Sequence, residues 1–216
     1  MIMKKLFPFV ALLWPLALLA QYSITTSKEY CVIDTVKYEI MVEQRTYITE
    51  QGNAQVMHYG PAVAAGIANN NYEGDLKIHG SIEYKDTLLI VEEIKGSAFH
   101  NCSGITSVTI PREIRTIGAQ AFRNCTALRN IYIDDGCEIG KMAFDNTAWF
   151  DLQEDGIVYL AKAAYAYKGV IPENGSIVIK DGTLSIAGGA FDCSYPANRQ
   201  AKELISITIP NSVTNI

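Results

Sequence analysis

The sequence predicts a β-rich α/β solenoid: stacked coils of about 23 residues, each with one strand and a short helical or 3₁₀ turn. Two observations carry this. The motif Ala-Phe returns at Phe99, Phe122 and Phe144, at spacings of 23 and 22 residues, and again at Phe191. Within each copy the apolar period changes from the wide spacing of Ile-x-x-x-Ala-Phe to strict alternation, as in Val108-Thr109-Ile110. That change marks a turn followed by a strand.

The first twenty residues stand apart from the coils. Lys4 and Lys5 precede the apolar run Leu6–Leu19, which closes on Ala20, and this order predicts a secretory signal peptide. Fourteen apolar residues interrupted by Pro8 and Pro15 are too few for a membrane span, which needs about 20. Removing Lys4 and Lys5 leaves 16 basic against 23 acidic residues, so the remainder is acidic. Neither nucleic acid nor an anionic membrane surface suits that balance, because both require clustered positive charge. Five cysteines (Cys31, Cys102, Cys125, Cys137 and Cys193) are an odd number without a CxxC pair, and signal neither a disulfide framework nor a zinc site.

Residues 21–71 read as an N-terminal β cap, with strand-like Val32–Ile40 and Thr46–Ile48 and a loop over Ala62–Asn71. Tyr72–Ile78 reads as the opening strand of the solenoid, which spans 72–216. A hairpin over Ile82–Val91 returns the chain to Ile94. The first full copy, Ile94–Pro111, is followed position for position by Ile117–Ile133. The third begins at Ile139 and keeps Ala143-Phe144-Asp145-Asn146, with Thr147 in the cysteine slot and Phe150 in the leucine slot. A second hairpin, Asp155–Leu160 with Ala164–Gly169, reads as an insertion over 151–169, and Ser176–Ile179 resumes the strand. The fourth copy starts at Ile186 and rejoins the pattern at Leu204 and Ile207–Pro210 after an expansion around Tyr195-Pro196. The final residue, Ile216, occupies the first apolar slot of another copy, so the C-terminal end is expected to be uncapped or truncated. Stacking would align Phe99, Phe122, Phe144 and Phe191 in one interior column, and Cys102, Cys125 and Thr147 in another.

The pattern I-x-x-x-AF-x-NC-x-x-L-x-x-I-x-IP resembles the BspA-like class of leucine-rich repeats found on bacterial surface proteins. Asn101-Cys102, Asn124-Cys125, Ile110-Pro111 and Ile209-Pro210 occupy its slots. The resemblance implies an exported adhesion protein at the cell surface, with matrix or plasma proteins and other bacteria as partners. A surface scaffold component without its own ligand is the alternative.

The residues themselves point to no catalyst. His58, His79 and His100 are scattered, and no nucleophile–base pair, HExxH, GxSxG or phosphate-binding loop is present. Asp134, Asp135 and Glu138 lack the alternating ligands and glycine of a calcium loop. Gly188-Gly189 reads as backbone permissiveness in a turn. No cofactor or metal is expected. Equivalent rungs are expected to bring Cys102 and Cys125 near bridging distance, but Thr147 in the same column favours free thiols. Asp34-Thr35-Val36 and Asp86-Thr87-Leu88 resemble a bacterial O-glycosylation triplet and read equally as ordinary strand residues.

What remains is a surface. Lys77, Thr109, Tyr132, Val178 and Thr208 are predicted to face outward across the stacked strands, flanked by Ser107, Arg129, Asn130 and Ser206. Such a broad face suits a macromolecule better than an enclosed substrate, and Arg129 with Tyr132 is its most anchor-like pair. Tyr159, Tyr165 and Tyr167 on the second hairpin form another candidate contact site, or else pack back onto the coil.

Overall fold

Alternating residues in the N-terminal third form β1 (Tyr22–Ile33), β2 (Val36–Thr49) and β3 (Gly52–Ile67) in the computed structural model, which describes residues 22–49, 52–67, 72–171, 175–192 and 204–216. The signal-peptide reading of residues 1–20, and Cys193, lie outside these residues. The chain divides into two compact units, one of residues up to Glu29 with Met41–Gly60, the other of Tyr30–Ile40 with Pro61–Ile216. In the first unit β1, β2 and β3 lie in that order.

In the second unit, β1 turns into β2 through Asp34 and Thr35, both at positive φ (45° and 74°). This is the geometry of a tight hairpin turn whose twist matches the flanking strands. Lys85 and Asp86 do the same (47° and 59°) between β5 (Ser81–Tyr84) and β6 (Thr87–Ile94). The Asp34-Thr35 pair and Asp86 are therefore turn residues, while Val36, Thr87 and Leu88 lie on strands, so the reading of the triplets as strand is corrected at these turn positions only. The hairpin predicted over Ile82–Val91 is present. The loop predicted over Ala62–Asn71 is not: Ala62–Ile67 continues β3, and Ala62, Val63 and Ala64 pair in parallel with Val91, Glu93 and Ile94. Ala62 and Ala64 are fully buried. Alanine is a weak strand former alone, but here burial on a paired sheet outweighs propensity. Residues 68–71 lie outside the described residues.

The solenoid follows. The predicted strand slot holds β4 (Gly74–Lys77), β7 (Ile105–Ile110) and β9 (Asn130–Ile133), paired in parallel in that order. A second, shorter strand forms at the first isoleucine of each copy: β8 (Thr116–Ile117) and β10 (Glu138–Ile139) extend the ladder from β6. Between these strands the Ala-Phe segment makes successive i→i+3 turns, such as Ala98 N–H to Lys95 O and His100 N–H to Ser97 O. It is not helical, because Ser97 and Asn101 have φ of 60° and 64°. Alternate amides thus point sideways. Ser97, Phe99 and Asn101 donate to Ala119, Ala121 and Arg123 of the next coil at 2.8–2.9 Å. The asparagines tolerate this left-handed backbone and form a ladder: Asn124 Nδ2 donates to Asn101 Oδ1 (2.8 Å), and Asn146 Nδ2 to Asn124 Oδ1 (2.9 Å).

Inside, Phe99 stacks on Phe122 (4.9 Å) and Phe122 on Phe144 (5.2 Å), all three fully buried. Phe191 does not follow Phe144, and this corrects the predicted column. Tyr167 stands between them: its N–H donates to Ala190 O (3.0 Å), the bond that Phe99 makes to Ala121 and Phe122 to Ala143. Phe191 packs, partly buried, against the cluster of Tyr167, Ile171 and Ile177. The hairpin strands β11 (Gly156–Leu160) and β12 (Ala163–Lys168) therefore lead into a coil of their own, with β12 paired in parallel to β14 (Ser185–Ile186). β13 (Ser176–Val178) and β15 (Ser206–Thr208) supply the later strand slots.

Coil three is irregular. Its strand slot is replaced by the four-residue helix α1 (Ala148–Asp151), and its Phe144 N–H meets the hydroxyl of Tyr165 (2.9 Å) in place of a carbonyl. That hydroxyl donates onward to Asp145 Oδ1 (2.6 Å). Thr147, fully buried, caps α1 by accepting from Phe150 N–H (3.2 Å) while donating to Phe144 O (2.7 Å). Thr147→Ala removes both bonds and is expected to lower unfolding free energy by about 1–2 kcal/mol in urea titrations. Thr147→Ser should recover most of that loss.

Candidate functional site

Three strands build the site. Parallel register places Lys77 opposite Thr109 and Thr109 opposite Tyr132; one step along, Asp75 stands opposite Ser107 and Ser107 opposite Asn130. Side chains two apart share a face, so these six residues form two rows on the outer side of the sheet. Lys77, Thr109 and Asn130 are exposed and Tyr132 is 59% exposed, while Leu76 and Val108 beneath them are buried. Arg129, also exposed, precedes β9 and is tied by its N–H to Thr106 O (2.9 Å).

Asp75 organises one row. Its Oδ1 accepts from Ser107 Oγ (2.6 Å) and Thr106 Oγ1 (3.1 Å), and these hydroxyls, Ser107 first, hold its carboxyl below the usual range. The position of Asp75, two residues before Lys77, was the available sequence signal for it.

The structure brings Lys77, Thr109 and Tyr132 together, with Arg129 beside them. Val178 and Thr208 face each other in register on β13 and β15, and Val178 is 70% exposed. These two belong to a separate two-stranded sheet, so the six predicted positions form two groups. The physical reason is coil three, where α1 stands in place of the strand that would have joined them. Of the two readings of the second-hairpin tyrosines, inward packing holds for Tyr165 and Tyr167, which are 3% and 5% exposed. Tyr159 is half-buried, with the Lys180 ammonium 3.9 Å from its ring centroid and its hydroxyl accepting from Lys180 N–H.

The remaining reactive groups are spread out. His79 Nε2 lies 2.9 Å from Asp34 Oδ2, and His100 stands half-buried on the first full coil. Among the described residues no three His, Cys, Asp or Glu side chains gather in a metal-binding group, and no helix is long and apolar enough to cross a membrane. Cys102 and Cys125 are unbridged. Burial pushes the Cys125 and Cys137 thiols up to about 12, aided by the neighbouring Cys102 and Glu138 respectively. Unfolded thiols ionise near 9, so the folded state binds the extra protons. Stability is therefore expected to be intact below pH 9 and to fall as pH rises from 9 towards 12, read as a declining thermal midpoint. At pH 8, iodoacetamide should label Cys102 well before Cys125, as peptide mass mapping would show.

A family model described as BspA type leucine rich repeat region matches residues 75–171 in six copies. Among solved structures, the chain is similar to a leucine-rich repeat protein from Bacteroides ovatus, at 24% identity over 85% of this chain and 42% of that one, with TM-score 0.49. It is similar also to the leucine rich repeat protein of T. pallidum (19% identity, 79% of this chain, 81% of that one, TM-score 0.42). A leucine rich cell surface protein from Faecalibacterium prausnitzii gives 18% identity over 87% of this chain and 44% of that one, with TM-score 0.41. The chain thus spans less than half the length of the first and third of these proteins. No curated protein matches it.

Proposed function

From the premise that residues 75–171 are BspA-type leucine-rich repeats, we propose that this chain is a non-catalytic binding protein. Its ligand site is the outer face of β4, β7 and β9. The observation that supports this most is the register of Lys77, Thr109 and Tyr132 across three paired strands, a rigid array with its side chains in solvent. Asp75 fixes two hydroxyls beforehand, which reduces the ordering entropy that a ligand must overcome. Tyr132 and Arg129 supply the large side chains that dominate interface energetics.

In this reading residues 1–20 direct export, residues 21–71 cap the first coil, and the face engages an extracellular protein or glycoprotein on host matrix or neighbouring cells. The test is surface-plasmon binding of residues 21–216 to a panel of immobilised matrix proteins. The wild type should bind at least one, and Arg129→Ala/Tyr132→Ala should weaken it at least about tenfold, as for two central anchors. Binding to none of the panel, or an unchanged double variant, removes this face from consideration.

A further inference from the structure

The strand ladder β4-β7-β9 stops at β9 although the coils continue. Coil three puts α1 and then Leu152–Asp155, which form no strand, where its own strand would lie. The place beyond β9 is therefore missing one rung.

The chemistry of that edge can be read from the bonds on its other side. In a parallel ladder, successive peptide groups of a strand point alternately to its two neighbours. Ile78 N–H, at the end of β4, donates to Thr109 O, so the peptide groups of Ser107 and Thr109 point to β4 and those of Val108 and Ile110 point to β9. With Val108 opposite Ile131 and Thr109 opposite Tyr132, Val108 bonds to the flanking Asn130 and Tyr132, and the peptide groups of Ile131 and Ile133 point away from β7. Among the described residues, no backbone bond to Ile131 or Ile133 comes from that outer side. The side chains agree. Val108 and Ile110 on β7 are 0% and 3% exposed, whereas the equivalent Ile131 and Ile133 on β9 are only half-buried.

We propose that the outer edge of β9 takes up an extended polypeptide strand, lying parallel to β9 in the place coil three leaves open. Donors and acceptors alternating along one line are complemented by another backbone, and Ile131 and Ile133 call for apolar side chains at alternate positions of the added strand. A glycan would satisfy neither demand. The inference rests on the reading of this sheet as the binding surface and names the partner's chemistry at its edge.

The test uses residues 21–216 and a labelled, acetylated peptide copying Ile105–Ile110, the strand that β9 already accepts on its other side. Hydrogen exchange should show the amides of Ile131 and Ile133 unprotected in the free protein, with those of Asn130 and Tyr132 protected. Added peptide should protect the first two. Beside a control, Ile133→Ala, that keeps the N–H, Ile133→Pro deletes one outward N–H without touching the β7 ladder, a substitution edge strands tolerate. It should retain the wild-type circular dichroism spectrum and bind the peptide at least about tenfold more weakly than Ile133→Ala. Arg129→Ala/Tyr132→Ala keeps the edge and should bind the peptide within about fivefold of wild type. Loss of matrix-protein binding in that variant alone separates the edge from the face. Peptide that leaves the amides of Ile131 and Ile133 unprotected, or binds Ile133→Pro no more weakly than Ile133→Ala, overturns the proposal. So does a concentration-dependent dimer that Ile133→Pro abolishes, which would assign the edge to a second copy of the chain.

Discussion

Tyr165→Phe is expected to destabilise the protein by about 3–5 kcal/mol. Regular coils join through backbone: Phe99 N–H reaches Ala121 O and Phe122 N–H reaches Ala143 O. After Phe144 the pattern breaks, and the Tyr165 hydroxyl accepts that amide while donating to Asp145 Oδ1. Both partners are buried, Asp145 at 2% exposure, and its Oδ2 has no other hydrogen bond. Phenylalanine would fill the same space against Phe144, Trp149 and Phe150 but strand an amide and a carboxylate away from water. Urea unfolding monitored by circular dichroism gives the value. Tyr159→Phe, which loses a bond at an exposed site, should cost less than about 1 kcal/mol. If the two variants unfold alike, the splice between coils three and four is held by packing and not by this hydroxyl.

Gly118→Ala should cost at least about 3 kcal/mol, at the upper end of overpacking effects. A Cβ there would lie 2.3 Å from Gly96 N and 2.7 Å from Gly96 Cα. Those atoms are backbone of the preceding coil, so relief requires two coils to separate and lengthens the bond from Gly118 N–H to Ile94 O (2.7 Å). Gly96→Ala is the control. Its Cβ would stand 3.3 Å from Ala119 O, a contact that relaxes with a small shift and should cost about 1 kcal/mol or less. A thermal midpoint for Gly118→Ala no lower than that of Gly96→Ala would show that the coils do not pack as closely as these distances require.

The coil architecture was legible because it is a local periodicity repeated. Phe99, Phe122 and Phe144 differ little in their surroundings, and each copy needs the same inward residues to cover its neighbour. The coil of Tyr167 was legible in principle, since Tyr167 lies 23 residues after Phe144 and follows Ala166. It was hidden because tyrosine replaces phenylalanine and the chain reaches it through a hairpin. Ala62–Ile67 was missed for a different reason: small residues carry little strand signal, and only pairing with Val91–Ile94 makes them one. Of the candidate site, the outward positions followed from strand alternation. The grip of Asp75 on Thr106 and Ser107 did not, because 31 and 32 residues separate the partners.

By itself the amino-acid sequence determined the repeat, its aromatic interior and the side of each strand that meets solvent, all consequences of a period that one chain carries along its length. The tertiary structure alone decided how the repeat breaks. Whether a coil ends in a strand or in α1, and whether an amide finds a carbonyl or the Tyr165 hydroxyl, depends on what the adjacent coil presents across a few ångströms. Those cross-coil contacts have no signature in local spacing, and they divide the predicted face into two sheets and leave the edge of β9 open.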